Sequence, residues 1–424
     1  MTQQIAVIGS GVAGLASAWL LSKQHRVTLI ERNDYIGGHT HTIDIPEQDR
    51  TIPVDTGFIV YNERNYPLLV RMFEHIKTPT RAGDMSFAAS IGPGELEYAG
   101  DNLDTLFAQR KNLLNPAFLG MLKDIVRFNR RCKTLLASNG FAEQSLGEFL
   151  ERERLGAAFR DYYLLPMAAA IWSCPARTMM EFPAESLARF FANHGLISLV
   201  ERPEWRTVVG GSQTYARTLI AAIGEDNILC DGATQVRRRA DGVEVQLQSG
   251  QMRRFDAVVL ACHADEALAL LEQPTADEAQ WLAPFRYQPN TTYLHTDARL
   301  MPKLRKVWSA WNYLSRARDD GSSAVSVTYW MNRLQGLESA KDYLVSLNPL
   351  TPPAADQVIA EMVYHHPVFD QAAMNAQPHL ERLQGQDRLW YCGSYFGYGF
   401  HEDALRSAVN MVAKMGVATT PFVL

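Results

Sequence analysis

The sequence predicts an α/β fold: a parallel-sheet domain assembled from discontinuous segments, joined to an α+β domain with helical and antiparallel-sheet parts. Three observations predict it. Ile5-Ala6-Val7-Ile8 is an unbroken apolar run, as in a strand buried on both faces, and Gly9-Ser10-Gly11-Val12-Ala13-Gly14 follows at once. Apolar, turn-bounded runs recur far along the chain, at Phe255–Ala261 and at Leu389–Cys392. Between those two, Thr291 to Pro367 alternates short strand-like runs dense in aromatic residues.

The N-terminal unit is strand, glycine turn, helix, strand, acid. Leu15 to Lys23 carries the helical pattern, Arg26 to Ile30 is the second strand, and Glu31 ends it, with Arg32 beside it. Gly9 permits the tight turn, Gly11 lets the backbone approach a pyrophosphate, and Gly14 lets the helix pack close on the strand. Around them, Ser10, Val12 and Ala13 open the helix, whose unpaired N–H groups and positive dipole end attract phosphate. Glu31 is placed to accept hydrogen bonds from a ribose diol. The unit therefore predicts a bound dinucleotide.

Composition bounds the rest. A chain of 424 residues, 47% hydrophobic and 21% charged, suits a globular protein of two domains. A net charge of −5 without a basic block gives no reason to expect nucleic acid. The five cysteines form no C-x-x-C pair and no metal-ligand spacing, so reduced thiols, no metal and a cytoplasmic location are expected. The N-terminus shows no basic region or cleavage site, and no stretch is long and apolar enough to span a bilayer. Oligomeric state stays open.

In order, Ile43–Ile52 reads as a hairpin, and Val54 to Val60 as a strand ending in a glycine turn. Helical patterns dominate from Tyr66 to Gly195. Leu114, Phe118, Leu122 and Ile125 share one helical face, opposite Lys123, Arg127, Arg130 and Arg131. Such a helix packs on a domain core or, less commonly, rests on a membrane surface. Tyr162–Trp172, interrupted by Pro166, reads as buried wall, and Pro183–His194 as a helix. After Val208–Ser212 come a helix, Gln213–Ile223, and strands at Asn227–Cys230, Thr234–Arg238, Val243–Gln248 and Arg254–Leu260. The aromatic block predicts strands at Thr291–His295, Trp308–Leu314, Ala324–Tyr329, Tyr343–Leu347 and Glu361–Tyr364, a mostly antiparallel sheet that is core or pocket floor. The chain closes with a glycine-aromatic loop, Tyr395–Phe400, and a helix, Ala404–Met415, capped by Glu402 or Asp403.

The residues that follow the acid narrow the choice of dinucleotide. Glu31 to Thr42 holds a second glycine pair, Gly37-Gly38, then His39, Thr40 and Thr42. This resembles the extended signature of the FAD-dependent amine oxidase and phytoene desaturase superfamily, E-x-x-x-x-x-G-G-R-x-x-T, which lies along the pyrophosphate and ribityl chain. His39 stands where that signature has Arg, replacing a permanent forked cation with a group charged only part of the time. Asp55-Thr56-Gly57-Phe58 is similar to the stretch that returns the superfamily's chain to the flavin. Val236 sits where the superfamily has an adenine-contacting valine; only the resemblance implies that contact, and read from its own surroundings Val236 is a core residue. Gly393-Ser394 and the loop into Phe400, His401 and Ala404 resemble the superfamily's closing A-G-D and helix, with Ser394 in place of Asp. The helix N-terminus would stabilise negative charge on reduced flavin. The resemblance implies a Rossmann-like FAD-binding domain from residues 1–75, 205–285 and 385–424, and a substrate domain from 76–204 and 286–384.

A closer likeness runs through nearly the whole chain, including Cys262-His263-Ala264-Asp265, Trp308–Tyr313, Val327–Asn332 and Gly397–Asp403. These look like a bacterial group described as flavin-containing amine oxidases or NAD/FAD-binding proteins. Its members are often encoded beside cyclopropane-fatty-acid-synthase-like methyltransferases, and some are implicated in desaturating methylated fatty acyl chains. The resemblance implies a FAD-dependent oxidoreductase acting on an apolar, fatty acyl-type small molecule. A redox-neutral flavin isomerase, an amine oxidase and a non-catalytic flavin-binding partner of a lipid-modifying complex stay open. With one dinucleotide fingerprint, the substrate is expected to reduce the flavin. Wall candidates are Trp172, Trp311, Tyr329 and Tyr398, and His401 is the nearest acid–base group.

Overall fold

The computed structural model describes residues 2–172, 179–193, 195–197, 203–317 and 323–422. The unbroken apolar runs form a five-stranded, all-parallel sheet in the order Ile228–Leu229, Arg26–Ile30, Gln4–Ile8, Ala257–Leu260, Leu389–Tyr391. Side chains of the central strand alternate between its faces. Ile5 and Val7 join a core with the helices Val12–Leu21, Gln213–Ile223 and His401–Lys414. Ala6 and Ile8 join another that contains Val236, Val245 and Leu260. With both faces covered, every position must be apolar, and that is why the run shows no alternation.

The second large sheet has seven strands, in the order Val358–Val368, Arg286–His295, Leu344–Leu347, Ser323–Trp330, Trp311–Ala317, Phe87–Ile91, Leu96–Ala99. All neighbours are antiparallel except Trp311–Ala317 with Phe87–Ile91, which pair in parallel. The hairpin Thr42–Glu47/Arg50–Asp55 links the two sheets and packs its apolar side chains, Ile45, Ile52 and Val54, under the second.

The expected strand Arg254–Leu260 divides at Asp256 into Met252–Phe255 and Ala257–Leu260. Phe87–Ile91 and Leu96–Ala99 are strands within a region that reads as helical. Other elements shift for local reasons. The strand expected from Trp308 begins at Trp311, because the Asn312 amide locks a turn: its Oδ1 accepts from Ser309 N (2.9 Å) and its Nδ2 donates to Ser309 O (2.6 Å). The last helix begins at His401 rather than Ala404. Asp403 reaches back to accept from Phe400 N (3.2 Å) and Tyr398 N (2.9 Å), which sets the start three residues earlier. Glu402 caps a different helix, accepting from Leu68 N (3.0 Å) and Leu69 N (3.1 Å) at the start of Pro67–His75. The amphipathic helix runs Pro116–Ala137 and buries Phe118, Met121, Phe128, Cys132 and Leu135. Asn115 caps it, accepting from Ala117 N (3.0 Å), so Leu114 falls outside the helix and is 89% exposed. No helix among the described residues is long and apolar enough to cross a membrane.

Candidate active site

A cavity of about 750 Å³ runs from the glycine turn to the second sheet. Its first end is built by the N-terminal unit. Gly14 brings the helix onto the turn so closely that a Cβ there would sit 1.8 Å from Gly9 O. Gly11 is the opposite case: a Cβ would meet nothing within 4 Å, and its backbone faces the open cavity. Glu31 is buried and already engaged. Its Oε2 accepts from Ser10 N (2.9 Å) and Ser10 Oγ (2.5 Å), and its Oε1 from Arg32 N (2.9 Å), Asn33 N (3.0 Å) and Asn33 Nδ2 (2.9 Å). The carboxylate thus ties the glycine turn to the second strand while its residue lines the cavity. Ala233, Thr234, Glu266 and Leu270 complete this end.

Midway, Gly38 and His39 meet the turn. A Cβ on Gly38 would lie 3.1 Å from Gly11 Cα, and one on Gly57 would lie 2.2 Å from His39 O, so the backbones pack closely along the cavity. His39 is half-buried, and its Nε2, shielded from solvent, has no hydrogen-bond partner. Its ring centre lies 5.0 Å from Tyr364 and 5.4 Å from His366. Burial, reinforced by the neighbouring imidazoles, holds His39 well below its usual pKa. The same cause lowers His366 to about 4. An Arg at position 39 would place a fixed charge here; this chain has a neutral imidazole with a free nitrogen.

His401 opens the last helix and lines the cavity. Its ring stacks on Phe58 at 3.7 Å between centroids. Its Nε2 lies 3.3 Å from Thr40 Oγ1 and 3.2 Å from Tyr215 Oη, and those two hydroxyls hydrogen-bond each other. Burial lowers its pKa to about 3, so the ring is neutral at physiological pH. With Nε2 engaged, Nδ1 is the position at which this ring can exchange a proton.

The far end is apolar. Strand register sets Phe87 beside Trp311, and Trp311 beside Tyr329. The last two rings meet edge to face at 4.7 Å and 87°. Met85, Ile59 and Leu347 fill in around them. The charged cavity residues, Glu31, Arg32 and Glu266, all belong to the first end.

Of the residues singled out in the sequence, the cavity is lined by Gly9 to Ala13, Glu31, Arg32, Gly38, His39, Gly57, Phe58, Gly393, Ser394, Phe400, His401, Ala404, Trp311 and Tyr329. Others sit behind it. Gly37 N donates to Ser10 Oγ (3.0 Å), and Thr42 Oγ1 donates to Asp55 (2.5 Å). Val236 is 2% exposed in the core, with Ala233 and Thr234 at the rim instead. Tyr398 is 38% exposed and off the cavity, because the Asp403 cap turns its backbone outward. The Trp172 side chain lies outside the described residues.

Several cavity residues carried no assigned role in the sequence reading: Tyr287, His263, His366, Tyr364 and Met85. His263 stacks on Tyr287 at 4.1 Å. The conspicuous pair His365-His366 was a signal, but nothing local shows that a sheet will carry it to His39. Asp55 was also undervalued. It is fully buried and accepts from Thr42 Oγ1, Ser212 N (2.8 Å), Ser212 Oγ (2.7 Å) and Gln335 Nε2 (2.9 Å). It thereby clamps four segments behind the cavity, and burial raises its pKa to about 6. Among the described residues no cluster could hold a metal ion.

The residues fit FAD. Gly11 leaves room for a pyrophosphate at a helix start, His39 offers an unpartnered buried nitrogen in the cavity lining, and a helix N-terminus meets the cavity at His401. Comparison with known proteins agrees. The model of the flavin containing amine oxidoreductase family matches residues 12–342. A protein assigned as flavin-containing monoamine oxidase, AofH of Mycobacterium tuberculosis, is 24% identical over 298 residues, which is 66% of this chain and 62% of that protein. The chain thus spans about three fifths of the length of the curated relatives it matches. Among solved structures, a CLA-producing fatty acid isomerase from P. acnes superposes with a TM-score of 0.69 at 16% identity, over 98% of this chain and 99% of that one. Cyclohexylamine oxidase from Brevibacterium oxydans gives 0.69 at 14% identity, over 98% and 100%. At such identities the likeness is one of fold.

Proposed function

Because the chain belongs to the flavin containing amine oxidoreductase family, whose cofactor is FAD, we propose that it oxidises or desaturates an apolar, fatty acyl-type chain. One observation carries the choice of substrate: the end of the cavity beyond His401 is lined by Phe87, Trp311, Tyr329, Met85 and Leu347, with no carboxylate among the described residues to receive an ammonium group. Bound FAD would supply hydride-accepting chemistry. The chain would supply position and polarity. Residues Gly9–Gly14, Glu31, Gly38 and His39 would hold the dinucleotide. The Trp311–Tyr329 pair and Phe87 would hold an alkyl chain and exclude water, since an unactivated carbon offers no polar handle. His401, fixed by Phe58, Thr40 and Tyr215, would stay a neutral ring and orient a hydrogen bond at Nδ1. The neutral state of His39, His366 and His401 keeps a fixed positive charge out of this zone.

The resemblance to proteins encoded beside cyclopropane-fatty-acid-synthase-like methyltransferases supports the same substrate class. A second reading, redox-neutral isomerisation, draws on the fold shared with a fatty acid isomerase. The test is an anaerobic screen of acyl lipids and amines for bleaching of bound flavin, followed by product mass. The expected result is bleaching by an acyl chain and a product two hydrogens lighter. An isomer of unchanged mass would move the protein to the second reading. Turnover of primary amines with acyl lipids inert would overturn both.

A further inference from the structure

We infer that the corner formed by Leu103–Leu106, Arg110–Leu114 and the first half of Pro116–Ala137 is a docking surface for an anionic phospholipid bilayer. The inference does not depend on the substrate reading, because none of the exposed residues that would meet the bilayer lines the cavity.

The first observation is where the exposed apolar side chains fall. Among the described residues eleven large hydrophobic side chains stay exposed, and five of them lie between positions 103 and 126: Leu103 (75%), Leu113 (49%), Leu114 (89%), Leu119 (42%) and Val126 (55%). A single exposed leucine needs no explanation; this concentration on one corner does. The pieces are held together. Arg110 pairs with Asp104 at 2.5 Å, and Phe107 packs on Phe118 at 5.7 Å between ring centres, so the short helix and the long one form one surface.

The second observation is charge. Between Leu103 and Ala137 there are seven Lys and Arg against two Asp, in a chain whose net charge is −5. One of those aspartates, Asp124, is buried and paired with Arg127 at 2.6 Å, and Asp104 is paired with Arg110 and Lys306. Lys123 and Arg130 are exposed, and neither has a partner among the described residues. On a helix their angular positions fall beside Leu119 and Val126. Unpaired cations flanking exposed leucines are what an interfacial surface requires: apolar tips enter the acyl boundary while cations meet anionic headgroups. A second copy of this chain presenting the same corner would bring like charges together.

The inner face of the same helix adds a reason for this place. Phe118 and Met121 pack in a cluster with Phe87, which itself lines the cavity. The surface that would touch a membrane and the apolar end of the site therefore share one wall.

The test is cosedimentation of the full-length holoprotein with vesicles of phosphatidylcholine alone or containing phosphatidylglycerol. Binding to the anionic vesicles, weakened by salt, is expected. The Leu114→Asp variant should bind at least tenfold more weakly, and Lys123→Glu more weakly by at least about fivefold, roughly the effect of one cation. Flavin content should be unchanged in both, since neither residue reaches the cavity, which also shows that both variants fold. Absence of binding to anionic vesicles would overturn the inference, as would binding that both variants retain. A dimer in light scattering that Leu114→Asp dissociates, without vesicle binding, would reassign the surface to self-association.

Discussion

The two ends of the cavity are built in opposite ways. At the Glu31 end, the contacts are short in sequence: the carboxylate bonds residues 2 and 21 positions away, and the glycine spacing places the backbone. At the His401 and Trp311 end, partners come from across the chain. His401 meets Tyr215 and Thr40, 186 and 361 positions away, and Trp311 gains its neighbours from the register of three strands. The glycine turn and its acid are a local device, formed wherever the strand–turn–helix folds, with Ala233, Thr234, Glu266 and Leu270 added around them from far along the chain. The other end exists only once both sheets are assembled. Perturbations at the two ends should therefore differ in kind.

The largest expected effect separates packing from binding within the glycine turn. Gly14→Ala places a Cβ 1.8 Å from Gly9 O, a backbone clash that side-chain motion cannot relieve. It should cost about 3 kcal/mol of stability or more and yield little folded flavoprotein. Gly11→Ala has open space, so the apoprotein should melt near the wild-type temperature while FAD affinity falls. Equal melting losses in the two apoproteins would break the distinction.

Next is acid stability. His401 has a folded pKa of about 3, below its unfolded value of 6.5, so in that window the unfolded chain binds the extra proton. Its contribution is fully present above pH 6.5 and is lost as pH falls toward 3; His366, at about 4, acts in the same direction. Asp55 opposes them. Its folded pKa of about 6 exceeds the unfolded 3.8, so it contributes stability at low pH that is lost as pH rises through 6. Between pH 4 and 6, His401→Gln should flatten the slope of unfolding free energy by about 1.4 kcal/mol per pH unit, and Asp55→Asn should steepen it by a similar amount. Denaturant titrations at three pH values would measure both. Parallel slopes for wild type and His401→Gln would mean the ring is already protonated in the folded state.

Glu31→Ala tests the local end by itself. It removes charge-assisted bonds of roughly 1.5–3 kcal/mol each, leaves Ser10 N and Asn33 N without their acceptor, and should weaken FAD at least tenfold by calorimetry. Undiminished affinity would confine Glu31 to holding the turn.

A smaller change is expected for His39→Arg. FAD should still bind, and the flavin potential should move because a fixed positive charge enters; an unmoved redox titration would place His39 away from the ring system. The smallest effect belongs to Tyr398→Ala. This half-exposed residue off the cavity should leave substrate-driven flavin reduction within about twofold of wild type, whereas Tyr329→Ala should abolish most of it.

The sequence by itself determined the parallel sheet, the glycine turn and Glu31. These depend on backbone geometry and on strands buried on both faces, which a local run of residues encodes completely. Resemblance to the superfamily's motifs also marked Gly38, His39, Gly57 and His401, although it was the Asp403 cap that put His401 at the start of the last helix. The tertiary structure alone decided the rest. It buried Val236 and turned Tyr398 outward, because a cap formed by Asp403 three residues on, rather than its own side chain, fixes where that tyrosine points. It brought His366 and Tyr364 to His39, and made Asp55 a clamp between four segments. Strand register and long-range burial set those placements, and neither is written in the spacing of neighbouring residues.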